Sequence, residues 1–70
     1  MSYTKLVGLV SEEQPTIGCL MSLGRAEQQG HTLRIIMANP TEANEVRSIL
    51  RLIEKASEGA YGRKMSVTIR

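Results

Sequence analysis

The chain contains no phenylalanine and no tryptophan, and its only aromatic residues are Tyr3 and Tyr61. Any core must therefore be built from Leu, Ile, Val and Met, and a base-stacking platform of the kind used by RRM or OB domains cannot be assembled. A single cysteine, Cys19, excludes an internal disulfide, and one Cys with one His, His31, cannot supply the three or four ligands of a zinc site. No run approaches the roughly 18 apolar residues of a membrane span. The apolar stretch Leu6 to Val10 ends in Ser11, Glu12 and Glu13, too short and too acidic for a signal peptide. With an unpaired thiol and no export signal, the expected compartment is the cytoplasm. No Gly-Lys-Ser/Thr phosphate loop, nucleophile elbow or metal motif occurs. The expectation is a protein that is not an enzyme and holds neither cofactor nor metal.

What is present is the composition of a folding chain. Its 70 residues are 41% apolar and 23% charged, which fits one small domain. Chains below about 70 to 80 residues often gain stability from a disulfide, a metal or a partner subunit. The first two being excluded, self-association into a homodimer, or a protein partner, is expected.

Leu6 to Val10, apolar and partly β-branched, reads as a first buried strand closed by the polar turn Ser11 to Pro15. His31 to Ala38 reads as a second, with Leu33, Ile35 and Met37 inward and Thr32, Arg34 and Ile36 outward. Asn39, Pro40 and Glu42 form a helix start, in which Asn39 accepts from the next turn and proline occupies the first helical position. Val46, Ile49, Leu50, Ile53 and Ala56 follow helical spacing, predicting a helix to about Glu58 with Gly59 as its stop. Met65, Val67 and Ile69 alternate with Ser66, Thr68 and Arg70, predicting a closing strand.

Residues Pro15 to Gln29 satisfy two periods. As a helix, Pro15 starts it and Gly18, Ser22, Arg25 and Gln29 lie opposite Ile17, Leu20 and Met21. As a strand, Ile17, Cys19, Met21 and Leu23 alternate with Thr16, Gly18, Leu20 and Ser22. Gly18 and Gly24 cost a helix about 1 kcal/mol each relative to alanine. The helix gives β-α-β-α-β and the strand β-β-β-α-β; both are a two-layer α+β sandwich with helices on one face of a small sheet.

The run Gly30-His31-Thr32-Leu33-Arg34-Ile35-Ile36, with Pro40 and Val46 following and with Leu6, Gly8 and Leu9 ahead of Pro15, resembles the TusA/SirA-like sulfur-carrier family. Val67-Thr68-Ile69-Arg70 falls where that family has its last strand. The resemblance spans nearly the whole chain and implies a helix after Pro15. The family's Cys-Pro-x-Pro motif, whose cysteine carries a persulfide at a helix N-terminus, is replaced here by Ser11-Glu12-Glu13-Gln14-Pro15. A serine hydroxyl cannot hold a persulfide, so the resemblance implies the fold without the family's sulfur transfer.

The remaining candidates each have a plain structural reading. Cys19, in an apolar run, is expected to be a buried, inert core residue; a sulfur carrier using Cys19 is the alternative. His31 is expected at a surface turn. Glu12 and Glu13 read as a solvated turn, or as the favourable acidic entry to a helix, rather than as an acid-base pair, which would converge from separate elements. Arg47, Arg51 and Lys55, at i, i+4 and i+8, would form a basic stripe able to hold phosphates. Glu54 and Glu58 on the same surface, and a net charge of only +2, favour a neutralised, solvated face. Gly59-Ala60-Tyr61-Gly62 before Arg63 and Lys64 is similar to the Gly-x-x-Gly loop of KH domains. That loop joins two helices, whereas this one leads from a helix to a strand. The function expected is binding of another protein through the sheet's edge or outward face, with Arg34 and Ile36 on that face. Nucleic-acid binding through Arg47, Arg51, Lys55, Arg63 and Lys64 is the alternative, and no membrane association is expected.

Overall fold

The computed structural model describes residues 2–70. Four helices and three strands follow one another as α1 (Ser2–Glu13), α2 (Pro15–Leu23), β1 (Arg25–Gln29), β2 (Thr32–Ile36), α3 (Pro40–Arg47), α4 (Leu50–Tyr61) and β3 (Ser66–Ile69). The strands form a single mixed sheet in the order β1-β2-β3, with β1 antiparallel and β3 parallel to β2. The expected class, an α+β domain with helices on one face of a small sheet, is the one observed.

The order of elements differs from both β-α-β-α-β and β-β-β-α-β, because the chain begins with a helix. Leu6 and Val10 are fully buried while Tyr3 and Val7 are half-buried against the core, the i, i+3, i+4, i+7 face of a helix. The Leu6 to Val10 strand is therefore corrected to the middle of α1. Pro15 ends α1, since it has no N–H to donate and disfavours helical geometry at the residue before it. Gln14 accordingly leaves the helical region at φ −134° and ψ 77°.

The helical alternative for Pro15 to Gln29 holds as far as Leu23. Gly24 is then extended, and a Cβ there would lie 2.6 Å from the Ile36 carbonyl oxygen and 2.8 Å from the Met37 sulfur. The chain continues as β1, which neither reading contained. Gly30, at φ +60°, and His31 join β1 to β2 in a two-residue hairpin turn with glycine first.

Asn39 caps α3 as expected, its Oδ1 accepting from the Glu42 N–H at 2.9 Å with Pro40 at the first turn. The single helix expected to Glu58 is instead two. Ser48 turns its hydroxyl onto the Glu45 carbonyl, and Ile49 leaves helical geometry at φ −117° and ψ 31°. A side-chain bond of this kind competes with the backbone ladder and bends helices. The bend lets α3 pack on α2 while α4 packs along α1. Gly59 does not stop α4. It lies inside the helix, where an added Cβ would come to 3.3 Å from Leu9 Cδ1, and Gly62 makes the left-handed cap at φ 75°.

The core combines Leu33, Ile35, Val67, Ile69 and Met65 from the sheet side with Leu6, Val10, Met21, Val46 and Ile53 from the helices. Ser57 is the one buried polar residue among those described; its hydroxyl donates to the Glu54 carbonyl and accepts from the Met65 N–H at 3.3 Å. The hydroxyl of Tyr3 ties α1 to α2 by donating to the Met21 carbonyl at 2.7 Å. Burial, and then the nearby Tyr61, push the Tyr3 phenol up to about 12 from 10.0. An acid whose folded pKa is raised contributes stability that is complete below its unfolded pKa and is lost as pH climbs to the folded one. The melting temperature should therefore fall between about pH 10 and 12, and Tyr3→Phe should flatten that part of the profile. A thermal-melt series in both proteins checks it.

Candidate interaction surface

The helices cover one face of the sheet only. Because side chains alternate along a strand, the register assigns the other face three rows across the strands. Gln29, Thr32 and Ser66 form the first, and Glu27, Arg34 and Thr68 the second. In the third, Ile36 of β2 lies between Arg25 of β1 and Arg70, which prolongs the β3 ladder through its N–H to the Ile35 carbonyl at 2.8 Å.

This face is basic for a reason visible in the element boundaries. Six of the seven acidic residues, Glu12, Glu13, Glu42, Glu45, Glu54 and Glu58, belong to the helices, and only Glu27 is on a strand. Glu27 faces its cross-strand partner Arg34 at 3.6 Å with both side chains about half exposed, a pair worth about 0.2–1 kcal/mol. A polar hollow of about 240 Å³ lies beside it, lined by Glu27, Gln28, Gln29, Thr32 and Arg34. Arg25 and Arg70 are exposed, and Ile36 is half-buried.

Arg34 and Ile36 therefore stand together on the uncovered face, where the alternation of β2 places them. The other basic candidates are scattered. Arg47 belongs to α3, on the far side of the Ser48 break from Arg51 and Lys55, so the three do not form one helical stripe. Its guanidinium is engaged within the fold, donating to Asn44 Oδ1 and to the Ile69 carbonyl at 3.1 Å. Arg51 and Lys55 share a shallow hollow with Glu54, Glu58 and Lys64, a mixed-charge surface, and Arg63 precedes Lys64 in the exposed loop from α4 to β3.

Cys19 corrects the expectation of a buried thiol: it is exposed. Its helix α2 turns Ile17, Gly18 and Met21 inward, and Cys19 falls on the opposite side. The thiol should accordingly label with a disulfide reagent in the native state nearly as fast as in the unfolded chain, and Cys19→Ser should change stability by less than about 0.5 kcal/mol. Strong native-state protection would contradict this. Ser11, at the family cysteine's position in the resemblance, lies in the last turn of α1, its hydroxyl donating to the Val7 carbonyl at 2.7 Å. His31 is in the exposed hairpin turn.

A second concavity of about 310 Å³ runs between α1 and α4 over Leu9, Leu52 and Ala56, with Glu12, Glu13 and Lys55 at its margin. Sequence reasoning misses it because Leu9 reads there as part of a strand. Among the described residues, no group of three or more His, Cys, Asp or Glu side chains is placed to hold a metal ion, and no helix is long and apolar enough to cross a membrane. No family model, curated protein or solved structure matches this chain.

Proposed function

We propose that this protein is a non-enzymatic binding domain that holds another protein, one presenting acidic side chains, against the uncovered face of its sheet. One observation carries the reading: the face opposite the helices displays Arg25, Arg34 and Arg70 around Ile36 with a single glutamate among them. A half-exposed apolar residue within a basic surround suits a partner surface of an apolar contact ringed by carboxylates. Such complementarity raises association rates and selects among partners.

The test is affinity capture from the native host with identification by mass spectrometry, run in parallel with Arg34→Glu on the sheet face and Arg51→Glu on the helical side. The reading expects a protein retained by the wild type and by Arg51→Glu, and lost with Arg34→Glu. Partners retained equally by both variants would sink it. Capture that disappears on nuclease treatment would transfer the function to nucleic-acid binding.

A further inference from the structure

The two edges of the sheet are treated differently. Along β3, the N–H groups of Ser66 and Arg70 bond to β2, through the carbonyls of His31 and Ile35, so Val67 and Ile69 direct their backbone groups outward. That edge is guarded. Arg47 reaches from α3 to take the Ile69 carbonyl, and both α3 and α4 pack against β3. Among the described residues the β1 edge has no such cover: β1 packs chiefly on β2, and four of its five residues are exposed. The two-residue turn makes Gln29 and Thr32 the closing hydrogen-bonded pair. Alternation along an antiparallel ladder then leaves the N–H and C=O of Ala26 and Gln28 pointing away from β2, unpaired by any strand.

From this edge we infer that a second copy of the chain pairs with β1, antiparallel across a two-fold axis at Ala26, joining the two sheets into one of six strands. Charge selects both the occupant and the register. Residues directly opposite in an antiparallel pair share a face, so only registers that match like faces are allowed. An axis at Glu27 would set the two Glu27 carboxylates against each other. An axis at Gln28 would oppose Glu27 to Gln29 with no ion pair and would bring Ala26 against the Gly30 turn. An axis at Ala26 places Arg25 opposite Glu27 of the second copy, and Glu27 opposite its Arg25, giving two cross-strand ion pairs by symmetry. Ala26, whose outward N–H and C=O close the central pair of hydrogen bonds, is small enough for two copies to meet on the helix side. The interface is isologous and closes at two, independently of what the sheet face binds.

The experiment is sedimentation equilibrium on the intact chain across micromolar to millimolar concentration. The wild type is expected to show a monomer–dimer equilibrium. Arg25→Glu and Glu27→Arg each set like charges opposite one another twice, and each should raise the dissociation constant about tenfold or more. The double exchange Arg25→Glu/Glu27→Arg restores opposite charges and should return it to near the wild-type value. Ala26→Pro removes an N–H that β2 does not use, so it should abolish the dimer while circular dichroism shows the monomer folded. If that variant unfolds, the charge-exchange set decides alone. A wild-type monomer at every concentration overturns the inference. So does a dimer indifferent to the single reversals, or one tightened by Glu27→Gln, since relief on removing the charge would put the axis at Glu27.

Discussion

Gly18→Ala and Gly8→Ala, two substitutions of the same kind in adjacent helices, are expected to change stability in opposite directions. At Gly18 an added Cβ would overlap Ser11 Oγ and lie 2.8 Å from Ser11 Cα. The hydroxyl can rotate, but the Cα cannot, so α1 and α2 would have to move apart. Overpacking of this kind costs about 1–3 kcal/mol, more than the ~1 kcal/mol by which alanine improves on glycine inside a helix. Gly18→Val adds two further methyl groups beyond that Cβ at the same crossing and is expected to leave no stable fold. At Gly8 a Cβ meets nothing within 4 Å, and the helical preference acts alone, stabilising by about 0.5–1 kcal/mol. In a domain of this size 1 kcal/mol moves the melting temperature by about 4–8 °C, so the divergence is measurable by thermal melts. Equal stabilisation by both alanines would show that α1 and α2 do not cross at Gly18.

The same crossing explains where the sequence was legible. The helix start at Asn39-Pro40, the inward set Leu33, Ile35, Val67 and Ile69, and the outward placement of Arg34 and Ile36 could all be read, because caps and period-2 alternation are local signals. Leu6 to Val10 could not be decided locally. Five consecutive residues, four of them apolar, fit a buried strand as well as a helical face, and it is Tyr3 and the packing on α2 and α4 that complete the helical pattern. β1 left almost no trace, since Arg-Ala-Glu-Gln-Gln has little β-propensity and is a strand because the Gly30-His31 turn returns it alongside β2. The break at Ser48 was hidden by apolar spacing that runs through it unchanged. Cys19 was misplaced for a related reason: its neighbours in sequence are apolar, but the helix turns them to the other side. The basic face itself was legible only in part, because Arg25 becomes its member solely through β1.

Ile35→Ala should cost about 2–5 kcal/mol, whereas Ile36→Ala, one residue further along β2, should cost less than about 1 kcal/mol. Ile35 is fully buried among the residues that the helices cover, and its side chain is 0% exposed. The whole domain, at about 0.05–0.15 kcal/mol per residue, has little more than that to lose, so Ile35→Ala should be largely unfolded at physiological temperature. Ile36 lies on the uncovered face between Arg25 and Arg70, half-buried by its neighbours in the sheet alone. Chemical denaturation of the two variants measures the contrast directly, and equal losses would mean that a helix or a second layer covers both faces. The capture experiment then reads what Ile36 does at the surface. Loss of the captured partner by a fully folded Ile36→Ala would identify that role as recognition, and retention of the partner would leave the arginines as the sole determinants of the surface.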